Sequence, residues 1–313
     1  MSRSPDFDAL RDSIFALYHQ GEFAEALSLV ERESPVLKLP PQAATSVYWR
    51  ACFLALLGRP DDALAALQSG LRQGYWWPDR LLRGDSDLAP LQGMPAFEDV
   101  IAACERLRVA APEAKPQRLV AEPPSRPGST YPLVLALHPY NGTAADTLPH
   151  WQPLTDRGWL VAALQSSQRS GMDAYHWVDE DRARREVQDH LRALTEAYPI
   201  DRSRLVIGGF SNGGRTALLL SLTGAIAAGQ VISVGSGLRE ESLAALDWAA
   251  LQVGPRPRLL MIAGERDEPV RTHMTGQART FADHGLDVTL QVVPGLGHQV
   301  PADLIARLDA WLT

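Results

Sequence analysis

The chain has 313 residues, 45% of them hydrophobic, which is enough apolar material for about two domains with buried cores. Its formal net charge of −7 argues against general binding to nucleic acid or to an anionic membrane, because both favour a basic protein surface. The two cysteines, Cys52 and Cys104, lie in predicted helices among apolar neighbours, which argues against a disulfide framework or a cysteine zinc site.

No targeting segment is evident in the sequence. The first ten residues, MSRSPDFDAL, lack the apolar stretch of a secretory signal, and the longest apolar run, residues 217–228, is too short to span a bilayer. We therefore expect a cytoplasmic protein without a membrane span.

The first hundred or so residues are predicted to be helical, and two stretches within them repeat each other. Gly21 to Val30 and Gly58 to Leu67 share glycine, alanine and leucine at matching positions, 37 residues apart. The glycine suits a turn between antiparallel helices, and the alanine five residues later allows close packing. This pattern resembles the tetratricopeptide repeat, a helical hairpin of about 34 residues. A generic helical bundle is the alternative.

A proline-rich stretch separates two regions of different composition. It contains Pro112, Pro116, Pro123, Pro124 and Pro127, which no helix interior would tolerate. We therefore predict a helical domain over residues 1–112, a linker over residues 113–130 and a second domain over residues 131–313. Residues 118–121 within the linker could form a first edge strand.

The second domain alternates strand-length apolar runs with helix-length amphipathic segments. The runs are residues 133–137, 159–164, 204–207, 230–234, 258–263 and 288–293. Nearly continuous apolar strands imply burial on both faces, and so a mostly parallel sheet with helices on each side. The predicted fold class is α/β, doubly wound, preceded by a small all-α domain.

The strand at 204–207 leads into Gly209-Phe-Ser211-Asn-Gly213, and helix-forming residues follow at once. A sharp turn from strand to helix exposes a serine hydroxyl and requires very small residues two positions to either side. The pattern therefore predicts a nucleophile at Ser211. A glycine-rich turn without catalytic function is the alternative.

This strand, turn and helix is similar to the nucleophile elbow of the α/β-hydrolase superfamily. The resemblance implies that an acid and a histidine follow the serine, each on a loop after a later strand. His298 lies in a glycine-flanked turn after the last strand, and Asp267 lies on the loop after the strand before it. Glu265 and Glu268 compete with Asp267 on that loop, but a short acid directly before Glu-Pro-Val matches the usual placement best.

Acyl transfer also needs two N–H donors for the oxyanion that forms. The resemblance places one on Asn212, the residue after the nucleophile, and the other on the loop His138-Pro-Tyr140-Asn-Gly142. Proline has no N–H, so Tyr140 is the leading candidate. His138 is expected to organise this loop and to border the substrate pocket.

The segment after the strand at 159–164 would lie over the serine. Its apolar and aromatic members Met172, Tyr175 and Trp177 could line a substrate wall, although ordinary packing into the core explains them equally well.

Over roughly residues 130 to 313 the chain resembles the phospholipase/carboxylesterase group of α/β-hydrolases. The stretch from Tyr198 to Gly214 carries the resemblance, supported by Trp177-Val-Asp179, by Gly264 to Val270 and by Gly297-His298. Asn212 replaces the glutamine usual in the group, and His138-Pro replaces its usual histidine-glycine. The second departure leaves the leaving group and the acyl length open.

The resemblance implies a serine hydrolase that cleaves small carboxylic esters or thioesters through an acyl-enzyme, with no metal and no cofactor. A serine peptidase or amidase is the alternative enzyme. A third interpretation is a partner-binding helical-repeat protein with a vestigial hydrolase domain. The helical domain could also cover the active-site mouth, or mediate self-association or binding of a protein partner.

Overall fold

A computed structural model describes residues 5–37, 39–125, 129–253 and 256–312. Residues 1–4 at the N-terminus and residues 126–128 of the predicted linker lie outside them. The chain forms two compact units, Met1–Glu113 with Arg169–Asp173, and Ala114–Gln168 with Ala174–Thr313.

In unit 1, the described residues 5–37 and 39–113 form helices joined by turns. The short segment 169–173, which also belongs to this unit, is not helical. Its helices are α1 (Pro5–Gln20), α2 (Phe23–Glu33), α3 (Pro40–Leu56), α4 (Pro60–Arg72), α5 (Asp79–Gly84) and α6 (Pro95–Ala110). Four of them begin at proline, which suits the first turn because the N–H groups there have no partner within the helix. This confirms the predicted all-helical region.

The two stretches that repeat in the sequence also share one turn geometry. Gly21 and Gly58 end α1 and α3 with φ values of 78° and 74°. In each case the N–H of the next residue bonds to a carbonyl five residues earlier, which is the usual ending of a helix at glycine. Ala26 and Ala63 are fully buried. The hairpins α1–α2 and α3–α4 are therefore alike, and their assignment to the tetratricopeptide class stays a prediction.

Trp77 anchors the core of unit 1. Its indole N–H donates to the carbonyl of Ala44 at 2.9 Å, and its main-chain N–H contacts the sulfur of Cys104 at 3.4 Å. Both cysteines are buried free thiols, and burial raises the pKa of Cys104 to about 11 and that of Cys52 further. Their low reactivity fits a packing role.

Unit 2 contains a seven-stranded sheet in the order β1-β3-β2-β6-β7-β8-β9. The strands are β1 (Gln117–Ala121), β2 (Tyr131–Leu137), β3 (Leu160–Gln165), β6 (Ile200–Phe210), β7 (Gln230–Val234), β8 (Arg258–Gly264) and β9 (Val288–Val293). Two short strands lie outside this sheet: β4 (Arg169–Gly171) belongs to unit 1, and β5 (Ala174–Tyr175) belongs to unit 2. Neighbouring strands are parallel except β1, which runs antiparallel to β3. The predicted fold class is confirmed.

Helices cover the sheet on both faces. They are α7 (Ala144–Trp151), α8 (Glu180–Ala197), α9 (Asn212–Leu222), α10 (Glu240–Ala244), α11 (Trp248–Val253), α12 (Glu268–Asp283) and α13 (Leu304–Trp311). Alternate residues of β2 enter different cores: Leu133 and Leu135 pack in one cluster, and Val134 and Ala136 in the other. Among the described helices, none has the length and hydropathy of a transmembrane segment.

Candidate active site

A single residue, Ser211, joins β6 to α9. Its φ of 52° and ψ of −118° are unfavourable for a residue with a side chain, so the turn stores strain. Its N–H donates to the carbonyl of Val234 at 2.8 Å, which ties the turn to β7. The bend therefore presents the hydroxyl at the carboxyl end of the sheet.

The glycines of the motif are required by the neighbouring strand. A Cβ on Gly209 would lie 2.5 Å from the carbonyl oxygen of Leu137, and a Cβ on Gly213 would overlap that same oxygen. The end of β2 thus passes too close to the turn for any larger residue. This is the crowding that the five-residue pattern predicted.

The structure brings Ser211, His298 and Asp267 together in one hydrogen-bonded chain. His298 Nε2 lies 3.0 Å from the Ser211 hydroxyl, and its Nδ1 lies 2.5 Å from a carboxylate oxygen of Asp267. The side chain of Asp267 is 12% exposed and that of His298 is 44% exposed. The serine can donate to Nε2 while Nδ1–H donates to the carboxylate, which is the arrangement that activates a serine hydroxyl.

The other two acids on the loop after β8 are engaged elsewhere. Glu265 accepts the N–H of Gly295 at 2.8 Å, so it holds the loop that carries the histidine. The side chain of Glu268 is 78% exposed and lies 3.9 Å from Arg271. Of the three candidates, Asp267 is the one in contact with His298.

Two residues that sequence reasoning did not single out border the histidine. The ring of Phe210 lies 4.9 Å from the ring of His298, centroid to centroid. Gly235, with φ of 63°, leaves so little room that a Cβ there would lie 2.9 Å from Phe210 and 3.4 Å from His298. A glycine directly after a buried strand was the signal available for Gly235.

The predicted oxyanion loop forms a tight turn. The N–H of Gly142 donates to the carbonyl of Pro139 at 3.0 Å, and Asn141 takes a positive φ of 63°. Tyr140 lies at the second position of this turn, with its ring stacked on that of His176 at 5.3 Å. Asn212, the other predicted donor, is the first residue of α9. That their amides bind the oxyanion stays a prediction.

His138 is a buried neutral histidine. Its Nε2 lies 3.2 Å from the main-chain nitrogen of Ser166, which can only donate, so Nε2 accepts and Nδ1–H donates to the carbonyl of Pro139 at 2.8 Å. Burial lowers its pKa to about 4. These contacts suit a residue that holds the oxyanion loop.

Two of the remaining predicted pocket residues are buried. Tyr175 is 5% exposed and Trp177 is 1% exposed. Met172 packs against the core of unit 1. Met172 is only partly buried, whereas contact with substrate would require Tyr175, Trp177 and the fully buried His138 to be uncovered; the place of all four in a pocket stays a prediction.

A buried carboxylate near the site was missed from the sequence. Glu186 on α8 is 7% exposed and accepts hydrogen bonds from the hydroxyls of Ser166 and Ser167. The available signal was its spacing, because it falls on the buried face of α8 together with Ala183 and Val187.

A second polar cluster lies in unit 1. The sulfur of Cys52 and the carboxylates of Asp85 and Asp87 lie within 4.8 Å of one another. Tyr48 donates to Asp85, and Tyr18 donates to Asp87 at 3.0 Å. The carboxylates thus fix the segment before α6 to α1 and α3, which accounts for the cluster as a structural one.

Two family models match the chain. Residues 173–313 match the phospholipase/carboxylesterase family, and residues 7–112 match a family described as the N-terminal domain of A/B hydrolase-like proteins. These matches confirm the predicted resemblance, and the second covers the helical region. No curated protein matches the chain.

Solved structures with a similar fold cover either nearly all of this chain or about two thirds of it. An uncharacterized protein from Bacillus cereus is 21% identical, with a TM-score of 0.54 and 97% of each chain covered. Esterase PE8 is 19% identical, with a TM-score of 0.53, over 64% of this chain and 98% of its own. A phospholipase/carboxylesterase from Dyadobacter fermentans is 20% identical, with a TM-score of 0.50, over 65% and 99%. At these identities the likeness establishes the fold alone.

Proposed function

We propose that this α/β-hydrolase, similar to the phospholipases and carboxylesterases, cleaves carboxylic esters or thioesters through an acyl-enzyme on Ser211. The observation that carries the proposal is the hydrogen-bonded chain from Ser211 through His298 to Asp267, with heavy-atom separations of 3.0 and 2.5 Å. The strained turn at Ser211 supports it, because such strain is retained where a function requires it.

In the first half of the reaction, Ser211 Oγ attacks the acyl carbon while His298 Nε2 takes the hydroxyl proton. The carbonyl π electrons move to its oxygen and form the oxyanion. When the oxyanion collapses, the bond to the alcohol or thiol breaks, and His298 returns the proton to this leaving group. Asp267 keeps Nδ1 protonated and stabilises the imidazolium.

In the second half, water takes the place of the leaving group and attacks the acyl-enzyme. His298 removes a proton from water, the hydroxide attacks the acyl carbon, and the second oxyanion collapses with release of the carboxylic acid and the protonated Ser211. The main-chain N–H groups of Asn212 and Tyr140 stabilise both oxyanions, and loss of one such donor costs about 2.7 to 4 kcal/mol of barrier. The N-terminus of α9 adds its positive dipole end. None of these steps requires a metal or a cofactor.

Esters and thioesters suit this site better than amides. Their leaving groups need less protonation than an amine, and hydrolysis of peptides calls for defined side-chain pockets that the sequence does not display. We further propose a small-molecule substrate and a cytoplasmic location, for which the two buried free cysteines give support. The helical unit would serve self-association or a protein partner.

The test is the variant Ser211→Ala compared with Ser221→Ala. Ser221 lies on α9, the helix that Ser211 precedes, and its buried hydroxyl has no hydrogen-bond partner among the described residues. Ser211→Ala should abolish hydrolysis of a short-chain p-nitrophenyl ester and covalent labelling by a fluorophosphonate probe. Ser221→Ala should retain both. Labelling of the Ser211→Ala protein at another residue would refute the assignment.

A further inference from the structure

The loop after β3 is buried, although loops normally lie on the surface. Its residues 166–168 are each less than a tenth exposed. Buried polar groups need hydrogen-bond partners, and here Glu186 supplies them. Its carboxylate accepts from the hydroxyl of Ser166 at 3.0 Å, from the N–H of Ser167 at 3.1 Å and from the hydroxyl of Ser167. These bonds fix the loop to α8.

Gln168 at the end of this loop fixes the segment that leads into α8. Its side-chain amide donates to the carbonyl of Asp179 at 3.0 Å and accepts the N–H of Asp179 at 2.8 Å. Its main-chain carbonyl accepts the N–H of His176 at 2.9 Å. Trp177, which lies between His176 and Asp179, is therefore held from both sides.

Trp177 donates to both sides of the proposed oxyanion hole. Its main-chain N–H donates to the side-chain oxygen of Asn212 at 2.7 Å. Its indole N–H donates to the carbonyl of His138 at 3.1 Å, and its ring packs on that of His138 at a centroid separation of 4.8 Å. One buried residue thus links the start of α9 to the loop that carries Tyr140.

We propose that Trp177 is the positioning residue that sets the distance between the two oxyanion donors, rather than a wall of the substrate pocket. This inference rests on the proposed hydrolase function. Donors must lie within a few tenths of an ångström of the place where the oxyanion forms, because their effect depends on being prearranged. The indole bond prevents the oxyanion loop from moving away from α9, and Glu186 keeps Trp177 itself in place through Ser166, Ser167 and Gln168.

The test uses Trp177→Phe, which keeps an aromatic ring and the main-chain N–H but removes the donor to His138. Trp159→Phe is the matched control, since Trp159 is 4% exposed and packs in the core on the opposite face of the sheet. The kcat and KM for a p-nitrophenyl ester are measured per fluorophosphonate-labelled site, so misfolded protein does not count. The inhibition constant of a trifluoromethyl ketone, which forms an oxyanion on the serine, is measured in parallel.

For Trp177→Phe we expect kcat to fall by about tenfold to a hundredfold, with KM within about twofold of wild type. The inhibition constant of the ketone should rise by a factor similar to the loss in kcat/KM. Asn212→Ala, which removes the acceptor of the Trp177 N–H and leaves the amide of residue 212, should act in the same direction. If Trp177→Phe does not fold, Asn212→Ala provides the test.

Two results would overturn the positioning role alone: a kcat per site equal to that of Trp159→Phe, or a rise in KM with unchanged kcat, as expected of a pocket wall. Absence of labelling and hydrolysis in the wild-type protein would overturn the proposed function and this inference together. The two failures are therefore distinguishable.

Discussion

Acidification should destabilise unit 2 through its buried neutral histidines, and His190 offers the cleanest measurement. His190 is 5% exposed on α8, and its Nε2 has no hydrogen-bond partner among the described residues. Burial, assisted by the charge of Arg118, lowers its pKa from 6.5 to about 4. Between pH 4 and pH 6.5, the unfolded chain therefore binds a proton at His190 that the folded protein does not bind.

The sign follows from this difference in proton binding. Above pH 6.5 both states are neutral at His190 and stability is unaffected, while stability falls as the pH drops from 6.5 to 4 and the effect is complete below pH 4. At about 1.4 kcal/mol for each pH unit between the two pKa values, His190 accounts for up to about 3 kcal/mol. That is a large part of the typical 5 to 15 kcal/mol of unfolding free energy.

The assay is urea unfolding at pH 7 and pH 4, followed by tryptophan fluorescence. His190→Leu removes the titration, so the loss of unfolding free energy between the two pH values should shrink by up to about 3 kcal/mol. His150→Leu, at an exposed position of α7, should leave that loss unchanged. Equal losses in wild type and His190→Leu would refute the reasoning, because His190 would then be accessible to protons in the folded state.

The remaining predictions concern the acid of the site and two helical glycines. Asp267→Asn should lower kcat by roughly 10³ to 10⁴. Glu265→Gln should keep kcat close to wild type, because the glutamine side chain can still accept the hydrogen bond from the N–H of Gly295. Steady-state kinetics distinguish the two variants. Gly70→Ala should destabilise unit 1 by about 1 to 3 kcal/mol, because its Cβ would lie 2.6 Å from the ring of Trp77. Gly276→Ala, which meets no atom within 4 Å, should stabilise by about 0.5 to 1 kcal/mol. The midpoints of urea unfolding compare the two glycine variants. A midpoint for Gly70→Ala above that of the wild type would contradict the packing argument.

Much of the fold could be predicted because its signals are local. Apolar runs such as residues 133–137 and 160–164 form buried strands, since a run of this length without polar residues must be covered on both faces. The turn at Ser211 was predictable for a similar reason, because only glycine fits at Gly209 and Gly213.

Contacts between distant polar residues could not be predicted in this way. The resemblance favoured Asp267 among the three acids on one loop, but the contacts of each acid follow only from the folded chain, which brings Asp267 to 2.5 Å from His298 while Glu265 accepts from Gly295. Trp177 and His138 look like pocket residues in the sequence, but the structure buries both and joins them by a hydrogen bond.

The sequence by itself determined the strands, the helices and the strained serine turn, because steric limits and hydrophobic periodicity act between near neighbours in the chain. Only the tertiary structure decided what the competing acids contact and which side chains hold the oxyanion loop. Those choices depend on distances between residues far apart in sequence, which the packing of the whole sheet sets to within a few tenths of an ångström.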